Sequence, residues 1–154
     1  MTYSKNQTYV LNLLAKRDYS YQELLDKLVI RKLTLNESAS ELKIILEKNW
    51  INDTRLTENL ILYYSKTRGP NWINQKLRQR KIPLEIIKQN QHKLSKSSDI
   101  RDQNDYRNLK LKIQRKYNFT NWKELDLKSK AKIWNYLSYH GFNNVGDLIK
   151  TLFD

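Results

Sequence analysis

Apolar residues recur along the chain at intervals of three and four, the spacing that places them on one face of an α-helix. One apolar triplet, with intervals of four and then five, occurs three times: Leu24/Leu28/Leu33, Ile73/Leu77/Ile82 and Ile133/Leu137/Phe142. In each triplet the first two residues lie one helical turn apart, and the third falls where the helix should end. The second triplet starts 49 residues after the first, and the third starts 60 residues after the second. Each interval has room for about three helices.

The pattern predicts nine helices and no β-strand. Ser20 and Glu23 form a predicted capping box at the start of the second helix, and Pro70 is a favoured first residue for the fifth. Asp126 is expected to cap the eighth helix, and Asn143 or Asn144 the ninth. The helices are predicted to span about 5–16, 20–32, 36–48, 53–68, 70–81, 83–87, 102–117, 127–140 and 145–152.

These helices predict an all-α fold of three tandem three-helix repeats, which cover residues 1–51, 52–98 and 99–154. Tandem repeats contact mainly their neighbours, so we expect an elongated, curved array. The polar stretch 93–102 lacks helical periodicity and is the predicted joint between the second and third repeats.

Composition excludes several classes of protein. The 154 residues include no Cys, which rules out a disulfide framework, a thiol nucleophile and a thiolate metal site. The sequence has no uninterrupted run of ~18 apolar residues and no secretory leader pattern. We therefore expect a cytoplasmic protein with no membrane partner.

Positive charge is concentrated in the predicted middle repeat. The whole chain carries a net charge of +13, and residues 53–98 hold ten Lys or Arg against three Asp or Glu. No acidic residue lies between Glu58 and Glu85. Six basic residues lie in that gap and form the candidate binding site: Lys66, Arg68, Lys76, Arg78, Arg80 and Lys81. Such a cluster suits the phosphates of a nucleic acid or an acidic protein surface, while the alternative is a solvated helix face.

The chain offers little for catalysis. His92 and His140 lie 48 residues apart, and neither is accompanied by carboxylates at metal-ligand spacing. The segment 141–146 has the two glycines of a phosphate-binding loop, but Asp147 stands where that loop requires Lys. We predict that the protein is not an enzyme and has no catalytic residue, metal site or cofactor. The four Trp are predicted to pack between neighbouring repeats in preference to stacking on bases.

Two segments resemble the RecX family of bacterial regulatory proteins. The first combines Trp50-Ile-Asn-Asp-Thr-Arg-Leu56 with Arg68-Gly-Pro70 and the apolar residues that lead to Ile82. The second is the ending Leu137-Ser-Tyr-His-Gly-Phe142 and the helix after it. The chain departs from the family pattern at Lys32 and Lys81, where Gly is frequent, so these helix ends must close differently or hold Lys in a strained conformation. It departs again at Tyr139-His140, where the family has a basic pair.

The resemblance implies a regulator that binds the RecA recombinase filament on single-stranded DNA. Its expected effects are inhibition of filament growth, ATPase, strand exchange and co-protease activity, with roles in homologous recombination, DNA repair and the SOS response. A monomer is expected, and single-stranded or double-stranded DNA is a candidate second partner. The alternative is a stand-alone DNA-binding regulator with helix-turn-helix-like units, although such proteins usually dimerise to read two half-sites.

Overall fold

A computed structural model describes residues 2–93 and 103–154, and for residues 103–105 it describes the backbone only. The predicted all-α fold is confirmed: these residues contain nine α-helices, one 3-10 helix at Trp122–Glu124 and no β-strand. Most of the predicted joint, 94–102, lies outside the described residues. No described helix has both the length and the apolar character needed to cross a bilayer. The helices are α1 (Lys5–Leu14), α2 (Tyr21–Ile30), α3 (Leu35–Glu47), α4 (Asp53–Tyr64), α5 (Pro70–Gln79), α6 (Leu84–Gln89), α7 (Gln103–Tyr117), α8 (Leu127–Tyr139) and α9 (Val145–Phe153).

The chain divides into two compact units. Unit 1 comprises Met1–Asn59 and Leu77–Gln89, and unit 2 comprises Leu60–Lys76 and Asn90–Asp154. The divisions fall within α4 and α5, so each of these helices contributes residues to both units. The grouping into three repeats and their elongated arrangement stay predictions.

Side-chain caps fix the starts of the first three helices. Ser4, Ser20 and Thr34 each accept a hydrogen bond from the backbone amide three residues on, and the side chain there returns a bond to the cap residue's amide. Such a cap stabilises a helix by about 1 kcal/mol. The box at Ser20 confirms the prediction, while the sequence reading overlooked the other two. The predicted Asn cap on α9 is wrong in detail: Asn144 occupies the cap position, but its side chain makes no capping hydrogen bond.

The repeated apolar triplet marks the ends of α2, α5 and α8. In each case the amide of the third residue donates to the carbonyl of the second, as in Leu33 to Leu28 at 3.3 Å. The residue before it has a left-handed backbone, with φ of 70° at Lys32, 55° at Lys81 and 85° at Gly141. This is the Schellman motif, in which an apolar residue just past the helix packs back on its last turn. Two of these ends therefore hold a lysine in the left-handed region, at a cost of about 1–2 kcal/mol each.

Each unit has an apolar core. In unit 1 the buried residues come from the first three helices and the segment that follows them: Val10, Leu24, Leu28, Leu42, Ile45 and Ile51. In unit 2 they come from the last three helices and the turn after α8, among them Leu109, Ile113, Ile133, Leu137, Phe142, Leu148 and Leu152. The triplet members are buried in the structure, except Leu33, which is half-buried.

Candidate partner-binding surface

The six candidate basic residues divide between the two units. Lys66, Arg68 and Lys76 belong to unit 2, and Arg78, Arg80 and Lys81 belong to unit 1. Lys66 and Arg78 are exposed and Lys76 is half-buried. Within the described ranges, none of these three side chains forms an ion pair. Their charges are therefore available to a partner.

Arg80 and Lys81 already have acidic partners in unit 1. The Arg80 Nε donates to Glu23 Oε1 at 2.9 Å, and its Nη2 donates to the Asp18 carbonyl at 2.7 Å. The side chains of Arg80 and Glu23 are 15% and 14% exposed. Lys81 pairs with Asp26, and this hydrogen bond holds the pKa of Asp26 below its ordinary value, with Gln22 contributing in the same direction. These two basic residues join the turn after α5 to α2, and a binding role for them stays a prediction.

Arg68 lies in an aromatic cluster of unit 2. Its guanidinium carbon is 4.8 Å from the centre of the Trp72 ring, a cation–π geometry, and the Trp72 ring is 4.8 Å from that of Tyr64. The charge of Arg68 also reaches the buried Tyr136: burial raises the pKa of Tyr136, and Arg68 opposes that shift. The positive charge of Arg68, in the turn after α4, therefore acts on Tyr136 of α8.

Other cationic and aromatic groups surround Tyr136. The ammonium of Lys116, at the end of α7, is 4.3 Å from the centre of the Tyr136 ring. The His140 ring stacks on the same tyrosine at 3.9 Å, and its Nδ1 is 2.8 Å from the Tyr136 carbonyl oxygen, where a protonated Nδ1 donates. Lys116 and Arg68 therefore supply positive charge near the Tyr139-His140 position, where the family pattern has a basic pair.

A wider basic region of unit 2 was missed in the sequence reading. Residues 60–76, 106–123 and 127–146 contain twelve Lys or Arg and no Asp or Glu. A search of the whole sequence for stretches without Asp or Glu, rather than of the middle repeat alone, would have found this region. Glu124 and Asp126 separate the second segment from the third, so the positive charge is in large excess but not unopposed. Such an excess suits a polyanion or an acidic protein surface.

Gly69 and Gly141, one from each of the two motifs, allow two backbone segments to approach closely. The Gly69 amide donates to the His140 carbonyl at 2.8 Å, and the Asn71 amide donates to the Gly141 carbonyl at 3.2 Å. A Cβ on Gly69 would lie 2.1 Å from the Gly141 carbonyl oxygen, and one on Gly141 would lie 2.3 Å from the Trp72 nitrogen. The turn before α5 and the turn after α8 are therefore in direct backbone contact within unit 2. Sequence reasoning assigned these glycines only to helix ends.

The acidic and arginine residues of the first motif hold unit 1 together. The Asp53 carboxylate accepts from the Tyr21 amide at 2.9 Å, which links α4 to the start of α2. Burial raises the pKa of Asp53, and the negative charge of Glu23 adds to the rise, while the bond from Tyr21 opposes it. Arg55 donates to the Asn49 carbonyl at 3.1 Å, at the end of α3. These contacts are structural, and they assign no partner-binding role to either residue.

The residues that the structure covers offer no metal-binding cluster. Those residues contain no group of three or more His, Cys, Asp or Glu that could hold a metal ion. His140 is used in the stack on Tyr136 described above.

No family model matches the chain. Two curated relatives, each named "Regulatory protein RecX", are 34% identical to it. The one from Pasteurella multocida (strain Pm70) aligns over 138 residues, 87% of this chain and 78% of that protein. The one from Haemophilus influenzae (strain 86-028NP) aligns over 139 residues, 88% of this chain and 86% of that protein. Both relatives are named as regulators rather than as enzymes.

Two crystal structures share the fold. That of RecX from Lactobacillus salivarius superposes with a TM-score of 0.71, at 20% identity, over 96% of this chain and 94% of that one. A second crystal structure, of a regulatory protein RecX, gives a TM-score of 0.70 at 21% identity, over 95% of this chain and 71% of that one.

Proposed function

The chain belongs to the RecX family of regulatory proteins, and from this premise we propose that it binds the RecA recombinase filament on single-stranded DNA. Binding inhibits filament growth and, with it, the ATPase, strand-exchange and co-protease activities, so the protein modulates DNA repair, recombination and the SOS response. It acts as a cytoplasmic monomer. The single observation that carries this proposal is the 34% identity to RecX proteins over most of the chain.

The charge distribution supports a partner that is acidic or carries phosphates. Lys66, Lys76 and Arg78 have no carboxylate partner in the described ranges, so binding an anion would not first require breaking an ion pair. Arg68 adds a guanidinium beside the Trp72 ring. Contacts of this kind are weakened by salt, because dissolved ions screen the charges and salt cations compete with the protein's Lys and Arg for the anionic partner. Inhibition is therefore expected to weaken as ionic strength rises.

The experiment is the single-stranded-DNA-dependent ATPase of RecA from a related bacterium, with this protein titrated in. Inhibition below one molecule per RecA is the expected result. A lack of inhibition at excess protein would overturn the proposal. It would leave the stand-alone DNA-binding regulator, for which a single preferred duplex sequence would be diagnostic.

A matched pair of variants tests the basic residues. The triple variant Lys66→Glu, Lys76→Glu, Arg78→Glu lowers the net charge from +13 to +7, since each replacement changes it by −2. The triple variant of exposed lysines Lys5→Glu, Lys16→Glu, Lys43→Glu makes the same change elsewhere. The first variant should need about tenfold more protein for half inhibition, and the second should differ from wild type by far less. Equal losses in both would show that net charge matters and these three positions do not.

A further inference from the structure

An open groove lies between α8, α9 and the 3-10 helix of unit 2. Its volume is about 590 Å³, within the ~300–1,000 Å³ range of ligand pockets. The apolar lining includes Trp122, Ala131, Trp134 and Ile149. Of these, Trp134 is 47% exposed, although it lies on a helix whose other face forms the core. An indole exposed to this extent at the wall of a concavity is typical of a binding surface.

Gly146 shapes one side of the groove. A Cβ at this position would lie 3.3 Å from the Trp134 Cη2, closer than ordinary van der Waals contact. The missing side chain lets the end of the Trp134 ring lie against the start of α9. The glycine thus allows a close contact between α8 and α9 at the wall of the groove.

The rim of the groove is positively charged. Two lysines, Lys130 and Lys150, line the groove together with one acidic residue, Asp154. Within the described ranges neither lysine forms an ion pair, and α8 itself contains no acidic residue. An apolar floor with two cations at the rim complements an apolar side chain that is flanked by carboxylates.

We propose that this groove binds an acidic segment of the partner protein, which inserts an apolar or aromatic side chain between Trp122 and Trp134 while its carboxylates meet Lys130 and Lys150. The identity of that protein as RecA rests on the proposed function, whereas the chemistry of the segment rests on the groove alone. Large aromatic residues in a pocket with a polar rim carry most of the energy of many protein interfaces.

The ring contacts favour a peptide over a nucleobase. Trp122 is stacked on Phe153, with ring centres 5.1 Å apart and planes 6° apart, so one face of that indole is already covered. The Lys130 ammonium lies 5.6 Å from the centre of the same ring. Stacking of bases needs free aromatic faces. Insertion of a side chain needs only the ring edges and the floor between them.

The test uses the full chain and three synthetic peptides. The first peptide has a phenylalanine with two acidic residues on each side, the second replaces the phenylalanine with alanine, and the third replaces the acidic residues with lysine. Calorimetry should show binding of the first, with the other two weaker by at least about tenfold. Equal binding of all three would overturn the proposal. Displacement of the first peptide by oligo-thymidylate at equimolar concentration would also overturn it, in favour of a nucleic-acid site.

A matched pair of variants locates the binding. Lys130→Glu with Lys150→Glu reverses the rim, and Lys128→Glu with Lys132→Glu makes the same charge change at exposed positions of α8 that do not line the groove. The rim variant should bind the acidic peptide at least about tenfold more weakly, and the control should stay near wild type. Equal effects would overturn the assignment to the groove.

The RecA ATPase separates this proposal from the proposed function. If wild-type protein inhibits RecA and the rim variant inhibits it equally well, the groove assignment fails and the proposed function stands. If the acidic peptide binds the groove but wild-type protein leaves RecA unaffected, the groove assignment stands and RecA is not the partner.

Discussion

Replacing Arg80 with alanine should destabilise the protein, although charge alone placed this residue in the candidate binding site. Arg80 donates to the Glu23 carboxylate and to the Asp18 carbonyl. The same carboxylate accepts from the Ser20 amide at 2.9 Å as part of the cap on α2. Without the guanidinium, the Glu23 carboxylate at the start of α2 would remain poorly solvated and would lose its main cationic partner.

The cost can be bounded from the geometry. Removing one partner of a fully buried ion pair costs about 3–5 kcal/mol, and a hydrogen bond to a charged group contributes about 1.5–3 kcal/mol. Arg80 and Glu23 retain 15% and 14% exposure, and Arg17 lies 3.8 Å from Glu23 as a weaker second cation. Both features reduce the loss, so we expect about 2–4 kcal/mol. Arg78 is exposed near the end of α5, two residues before Arg80, and its replacement by alanine should cost less than about 0.5 kcal/mol.

Urea unfolding followed by circular dichroism at 222 nm measures both variants. A cycle with Glu23→Gln, alone and combined with Arg80→Ala, isolates the coupling between the two residues. The reasoning fails if the Arg80 and Arg78 variants unfold at the same urea concentration, or if the cycle shows additivity within about 0.5 kcal/mol. It is supported if inhibition of RecA by folded Arg80→Ala, measured at low temperature, stays near wild type.

Three further substitutions, one of them a control, test the contacts within the units. Gly69→Ala should cost about 3 kcal/mol because its Cβ would meet the Gly141 carbonyl, while Gly146→Ala, which meets only the end of the Trp134 ring, should be nearly neutral in thermal unfolding. Asp53→Asn keeps an acceptor for the Tyr21 amide and removes a carboxylate whose pKa is raised by burial. The pKa of Asp53 is higher in the folded protein than in the unfolded chain. Its contribution to the free energy of unfolding therefore falls as the pH rises from the unfolded-state pKa through the folded-state pKa. The variant should therefore match or exceed wild type at pH 7, within about 1 kcal/mol, and lose that advantage below the ordinary pKa; a large loss at pH 7 would contradict the account.

The helices could be predicted because their signals are local. Apolar spacing, the Ser20 box, Pro70 and Asp126 act within a few residues, and the structure confirms each of them. The apolar triplets also correspond to real features of the structure, but what recurs is the way in which a helix ends. The same closure occurs at the end of α3, where Asn49 has a φ of 58° and the Trp50 amide donates to the Ile45 carbonyl. A recurring helix end is therefore weaker evidence for a repeating unit than the spacing alone indicated.

The candidate site was predicted less well because its charges depend on long-range pairing. Nothing near Arg80 in the sequence indicates Glu23, which lies 57 positions away. Conversely, Lys116 and Arg68 are 48 positions apart in the sequence, yet in the fold the charge of each acts on Tyr136. Counting charges along the chain finds a basic region. Which of its basic residues lack an acidic partner is known only from the folded structure.

The way in which the chain alternates between its two units has a consequence for truncation. Because unit 1 closes with Leu77–Gln89 and unit 2 begins at Leu60, a single cut in the backbone cannot release either unit intact. A fragment that stops at residue 59 lacks α6, and one that starts at residue 90 lacks the Gly69 turn. During synthesis, likewise, unit 1 cannot be completed until the first segment of unit 2 has left the ribosome. Deletion mapping of partner contacts would therefore report loss of folding, and only point substitutions can locate those contacts.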